Sequence, residues 1–198
     1  MTDYNFNPKR SRDEFGWYNL DKLPHFDGPE HPQFVTFRLA DSLPAAVAEK
    51  LRKEAIDDPA YRKKIERYLD SGNGSCWLRQ PKIAAIVRDA IKFSDRIAHD
   101  LYSWVIMPNH AHVLLSPRPG IHLPDILHSI KSYSAQMANR ALGRRGRFWQ
   151  HESFDRYIRD RRHFVAVIRY IEMNPIKAGL CKMPEDWEFC SAYERSRK

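Results

Sequence analysis

Two strand-length runs, Leu101–Met107 and His110–Leu115, are separated only by Pro108-Asn109. So short a link leaves antiparallel pairing as the one way for both runs to form strands. The first run is hydrophobic on both faces, which predicts a central strand of a covered sheet. In the second, the two-residue period of a strand sends His110, His112 and Leu114 to one face and Ala111, Val113 and Leu115 to the other. Both imidazoles then converge on one point. Neutral imidazole is the commonest transition-metal ligand, and two held on one strand lose little entropy on closing around an ion. The pair on its own fits equally well a strand whose two polar positions are satisfied by hydrogen bonds.

The flanking chain supplies the rest of a layered domain. Gln33–Ala40 alternates as a strand, and Asp41-Ser42-Leu43-Pro44 opens a helical region that runs to Leu69 and breaks at Asp57-Asp58-Pro59. Ser71-Gly72-Asn73-Gly74-Ser75 lacks the ending of a phosphate loop and reads as a plain loop. Pro81 opens a helix with an apolar stripe of Ile83, Ile86, Val87, Ala90 and Ile91. A further helix begins near Pro124, burying Ile126, Ile130, Tyr133 and Met137, with His128, Lys131 and Ser132 on its other side. Phe148–Ile158 reads as a last strand, and a final helix starts at Asp160 with a stripe of Phe164, Val167, Ile168 and Ile171. Strand, helices, strand, strand, helix, strand, helix is the order of a ferredoxin-like α+β fold, an antiparallel sheet with helices packed against it. Residues 1–30, broken by Pro8, Pro24 and Pro29, read as an irregular arm. Residues 31–182 form the domain, and 183–198 a tail packed back through Trp187, Phe189 and Tyr193.

Composition narrows the function. The 198 residues suffice for one domain with a core, and no apolar run could span a membrane or serve as a signal peptide, so the expected location is the cytoplasm. Three widely spaced cysteines argue against a disulfide framework or a structural zinc site. Net charge is +8, and between Arg140 and Arg169 nine arginines stand against three acids, so that +6 falls in this one segment. Guanidinium forks suit phosphate, and the interleaved Phe148, Trp149, Phe154 and Tyr157 offer faces for base stacking, although a solvated basic surface over core aromatics would read the same way.

Fifty-eight residues after His112 lies Tyr170-Ile171-Glu172-Met173-Asn174-Pro175. At helical spacing Tyr170 and Asn174 share a face, a phenol beside a neutral oxygen donor. Taken singly, Asn174 could be a helix-end cap and Tyr170 a half-buried tyrosine. Together, Pro-Asn-His-Ala-His and Tyr-x-x-x-Asn-Pro resemble the REP-associated tyrosine transposases of the HUH single-tyrosine superfamily. Phe34-Val35-Thr36-Phe37-Arg38-Leu39, Cys76-Trp77-Leu78, Leu127–Ser132, Phe148-Trp149-Gln150 and Phe154-Asp155-Arg156 extend that likeness over about residues 30 to 182.

The resemblance implies that His110, His112 and Asn174 hold Mg²⁺ or Mn²⁺ and that Tyr170 is the nucleophile. It implies cleavage and transfer of single-stranded, REP-type hairpin DNA through a 5′-phosphotyrosine, by a monomer or homodimer. Lys131, Arg144, Arg145, Arg147, Arg156, Arg159 and Lys177 are the residues expected on the DNA. The alternative is a host-retained hairpin-binding protein that does not cut. A His-x-His-x-Asp-His metal hydrolase is excluded because position 114 is leucine, and a two-histidine phosphodiesterase because no second His-x-Ser/Thr motif occurs.

Overall fold

The computed structural model describes residues 15–19, 24–44, 47 and 59–197. Its order is β1 (Gly16–Asn19), β2 (Pro24–Asp27), β3 (Gln33–Arg38), α1 (Pro59–Asp70), α2 (Pro81–Phe93), β4 (His99–Ile106), β5 (His110–Pro117), α3 (Leu123–Ala141), β6 (Phe154–Tyr157), α4 (Arg161–Lys177) and α5 (Ser191–Arg195), with short 3-10 turns at Trp77–Arg79 and Pro184–Asp186. Strands β3 to β6 form one sheet in the order β4-β5-β3-β6 with every neighbour antiparallel, and β1 pairs with β2 in a separate two-stranded sheet. That is the ferredoxin-like arrangement, in which β5 inserts between β3 and β4.

Strand alternation divides the sheet into two faces. Val35, Phe37, Trp104, Ile106, Ala111, Val113 and Leu115 join Ile83, Val87 and Ile91 of α2 and Ile126 and Ile130 of α3 in the main core. Phe34, Val105, Met107 and Leu114 face the other way, packing with Ile171 and partly buried Phe164, Val167, Ile168 and Tyr170 of α4.

Several sequence expectations need correction. The run from Leu101 is not central: β4 is the sheet's edge strand. It is apolar on both faces because both are covered, and the C-terminal segment also covers its edge. There Ile106 N–H donates to Phe189 O at 2.9 Å, Trp187 Nε1 donates to Ile106 O at 2.9 Å, and Val105 bridges to Cys190. The tail is held further by Arg195, which forks onto buried Glu172 at 2.5 and 2.6 Å, with Ser191 Oγ donating to the same carboxylate at 2.7 Å.

The arm is not irregular over Gly16–Asn19 and Pro24–Asp27, which pair antiparallel as β1 and β2. Asp155 of β6 accepts from Phe26 N at 3.0 Å and pairs with His25, whose Nε2 lies 3.2 Å from Glu152. Asp27 accepts from His122 Nδ1 at 2.8 Å and Leu123 N at 3.0 Å, so the arm caps the start of α3 from a distance.

The last strand is also shorter than expected, since no alternation rule anticipates a clamp. Leu39 pairs with Trp149 and Thr36 with Phe154, so the four residues between the pairs on one strand oppose two on the other. The excess loops out and is gripped by Lys131, whose ammonium donates to Gln150 O at 2.9 Å, His151 O at 2.7 Å and Ser153 Oγ at 3.1 Å. On α3 the buried stripe runs through Ser134 and Ala138, leaving Tyr133 54% exposed and Met137 half-buried. The predicted first stretch of helix, 45–58 with Leu51 and Ala55, lies outside the described residues apart from Val47, which packs against Leu43 and Leu69.

Candidate active site

The site forms where β5 meets the last two turns of α4. Cross-strand register sets Thr36 opposite His112 and Arg38 opposite His110, and Val105 flanks His112 on the other side. Both histidines are buried, at 1% and 2% exposure. Their Nε2 atoms face each other 3.1 Å apart. Their Nδ1 atoms point outward into partners: His110 to Asn109 Oδ1 at 2.7 Å and His112 to Thr36 Oγ1 at 2.8 Å. Burial, and then the nearby Lys177 ammonium, lowers His110 to about 3, while burial, His110 and Lys177 hold His112 well below the usual histidine range. Both are neutral near pH 7, as ligands must be.

Helix α4 begins at Asp160, whose side chain accepts from His163 N at 2.7 Å as an N-cap. It continues through Pro175 to Lys177, so Asn174 is a helix-interior residue rather than an end cap. Asn174 is 1% exposed, and its Nδ2 donates back to Tyr170 O at 2.7 Å. That anchors the carboxamide and leaves Oδ1 buried with no hydrogen-bond partner. One turn earlier, the Tyr170 ring lies 5.5 Å from the His112 ring and 5.7 Å from that of Phe34. Burial, and then the Glu66 carboxylate of α1 beside the hydroxyl, raises the Tyr170 phenol well above its usual range, with the Asn174 amide working the other way. Lys177 closes the site, with Nζ 5.9 Å from the Tyr170 ring centroid and 3.2 Å from Asp70.

These residues fit a divalent cation. Two nitrogens bound about 2.1 Å from an ion at right angles would be about 3.0 Å apart, close to the separation seen here. A buried carboxamide oxygen without a partner costs about 1–3 kcal/mol, and coordination would satisfy it. Outer hydrogen bonds that orient ligating imidazoles are already in place. Among the described residues no three His, Cys, Asp or Glu side chains cluster as a metal site, because the third donor is an asparagine.

The four residues singled out as nucleophile and ligands therefore belong to one corner of one chain. The expected DNA residues do not behave alike. Lys131 is committed to the loop it clamps and Lys177 to the site itself. Arg144 donates to Asn139 Oδ1 at 3.0 Å and Arg147 O at 3.3 Å, and lies near the rings of Trp77 and Phe148. Arg145, Arg147, Arg156 and Arg159 are exposed.

Sequence reasoning missed the supports. Thr36 is linked to His112 only through strand register, and Glu66 only through tertiary packing. Asn109 was within the motif, but its role depends on the supposedly plain loop: its Nδ2 donates to Asn73 O at 2.9 Å. That loop is shaped by Gly74, at φ +85°, where a Cβ would stand 2.4 Å from the Asp41 carbonyl oxygen.

Residues 79–174 match the family of IS200-like transposases, a span that includes both histidines, Tyr170 and Asn174. A REP-associated tyrosine transposase of Escherichia coli K12 is 30% identical over 91 residues, 46% of this chain and 52% of that protein, so the match spans about half of the relative's length. The solved structure of a REP-associated tyrosine transposase bound to a REP hairpin superposes with a TM-score of 0.58 over 90% of this chain and 87% of that one, at 16% identity, and shares the fold. The segment that holds the motif residues is thus similar to the IS200-like transposases, and the chain is similar over part of its length to a REP-associated tyrosine transposase.

Proposed function

We propose that this chain is a cytoplasmic strand transferase that cuts single-stranded DNA beside a REP-type hairpin and holds the product as a 5′-phosphotyrosine. The carrying observation is that Tyr170, two inward-facing Nε2 atoms and the unpartnered Asn174 Oδ1 meet in one buried corner of a protein with a strongly basic segment. The hairpin comes from the relatives, one named for its association with REP elements and another bound to a REP hairpin.

In this reading Tyr170 Oη attacks the scissile phosphorus, the P–O3′ bond breaks, and the departing oxygen takes a proton to become a free 3′-OH. One phosphodiester replaces another, so the bond energy is kept for the second transfer. Mg²⁺ or Mn²⁺ held by His110, His112 and Asn174 would polarise the phosphate and offset charge that develops on it. The phenol is protonated at neutral pH, and Glu66 is the carboxylate placed to take its proton. Phe34 and His112 hold the ring edge-on, limiting its rotation during attack.

The test is covalent capture with labelled hairpin DNA. Tyr170→Phe is expected to bind the hairpin yet give no cleavage and no adduct. Tyr157→Phe keeps both, because Tyr157 packs with Trp17 and Phe26 at the arm. Adduct mapped to Tyr157 would refute the assignment, and hairpin binding without any adduct from the unmodified chain would identify a non-cutting binder.

A further inference from the structure

The hydrogen bonds behind the two histidines differ in kind. Asn109 is fully buried, and its Nδ2 faces the backbone carbonyl of Asn73, which can only accept. The carboxamide therefore cannot be flipped, and Oδ1, an acceptor, must face His110. It follows that His110 carries its proton on Nδ1 and presents a bare Nε2. No such argument applies to His112. Its Nδ1 faces Thr36 Oγ1, and a hydroxyl can either donate or accept.

Two bare Nε2 lone pairs 3.1 Å apart repel unless a proton or a cation lies between them. When it is a proton it must belong to His112, because His110 has none on that side. His112 Nδ1 is then bare and accepts from the Thr36 hydroxyl. When it is a cation, the His112 proton must reside on Nδ1 and be donated to Thr36 Oγ1. The proton count on the imidazole is unchanged; it moves from Nε2 to Nδ1 through exchange with water.

Building on the metal site argued above, we propose that Thr36 is a positioning residue whose hydroxyl reverses its hydrogen bond when a divalent cation replaces the proton between the histidines, while Asn109 locks His110 in one tautomer. His110 is the fixed ligand and His112 the convertible one. Valine at position 36 keeps the strand and the volume but would leave the metal-ready tautomer of His112 with a buried, unsatisfied N–H.

The experiment pairs two readouts on the full chain. Nitrogen-15 histidine spectra are recorded without and with Mg²⁺, and Mn²⁺ affinity is measured by electron paramagnetic resonance. Without ion, His110 is expected as the Nδ1–H and His112 as the Nε2–H tautomer; with Mg²⁺, His112 changes to Nδ1–H. Thr36→Val is expected to lower Mn²⁺ affinity about 10- to 100-fold, as loss of an outer-shell partner does, and Thr36→Ser to restore it to within about threefold. Finding His112 as Nδ1–H in ion-free protein, or finding unchanged Mn²⁺ affinity in a folded Thr36→Val variant, would overturn the role of Thr36 while leaving the metal site standing. Failure of the unmodified chain to bind either ion would overturn the site itself and the reversal with it.

Discussion

On β5, Ala111, Val113 and Leu115 face α2 and α3 with no accessible surface, while His110 and His112, one residue away on the same strand, face α4 equally buried. The first face is held mainly by apolar packing; its Trp149 Nε1 finds Ser134 Oγ at 2.9 Å, and its unpartnered polar side chain among the described residues is the carboxamide of Gln33 at the start of β3. The second holds two imidazole Nε2 atoms facing each other 3.1 Å apart and a carboxamide oxygen with no partner. Equal burial thus means stability on one face and stored chemistry on the other. The distinguishing feature is convergence: on the second face the unpartnered Asn174 oxygen lies one helical turn from Tyr170, which packs against His112, so several polar groups meet at one place.

Substitutions on the two faces should separate these roles. The largest effect is expected from His112→Ala: divalent-ion-dependent cleavage falls by about 10³-fold or more, several kcal/mol of transition-state stabilisation. Hairpin affinity and melting temperature stay near those of the unmodified chain. Undiminished cutting, or cutting in excess chelator, would dissociate the histidines from catalysis. On the opposite face, Phe37 is fully buried against Trp149, with ring centroids 4.9 Å apart. Phe37→Ala is expected to lose about 3–5 kcal/mol of stability in denaturant titration, with little change in cleavage per folded molecule. If both variants lost activity and stability together, the two faces would not be functionally distinct.

What the sequence disclosed follows the same division. Period-two alternation through Ala111, Val113 and Leu115, and helical stripes such as Ile83–Ile91, are local patterns, and they located the core. Spacing put His110 with His112 on one strand face and Tyr170 with Asn174 on one helix face, but that the two pairs belong together came from the family resemblance. Thr36 was not legible, because its partner is 76 positions away and only register reveals it. The edge position of β4 escaped for a related reason: apolarity reports that a strand is covered, not what covers it, and here a C-terminal segment performs what a neighbouring strand would. Lys131 read as a surface cation because nothing local predicts that a strand would loop out into its reach.

A third prediction concerns the arm. Burial alone would lower His25, but the carboxylates of Asp155 and Glu152 outweigh it and raise it to about 9. A histidine raised on folding contributes its stability fully below its unfolded value of about 6.5 and loses it as pH climbs through 9. The contribution is about 3 kcal/mol at most. Lys131, lowered by burial to about 8, pulls the other way above that pH. Comparison with His25→Gln isolates the histidine: the gap in stability between the two proteins should shrink steadily from pH 6.5 to 9.5. A gap independent of pH would mean that the arm is held by its backbone bonds and rings alone.

The smallest expected effect tests whether the basic loop touches DNA, and the comparison within it is between Arg144 and its neighbours. Arg144 is spent on the loop, bonded to Asn139 and Arg147 O and lying near two rings, so its removal should loosen the loop and lower the melting temperature as well as the affinity. Arg145 and Arg147 are exposed, and among the described residues their guanidinium groups form no ion pair, leaving their charge available to phosphate. Each phosphate neutralised releases counterions, so the pair Arg145→Ala with Arg147→Ala should reduce the slope of log affinity against log salt by about 1.4 to 1.8, depending on whether single strand or duplex is contacted. Between 50 and 200 mM salt that changes the affinity ratio of variant to parent by about tenfold, which anisotropy titrations with a labelled hairpin resolve easily. An unchanged slope in the double variant would move the phosphate contacts to Arg156 and Arg159, on the side where β6 leads into α4.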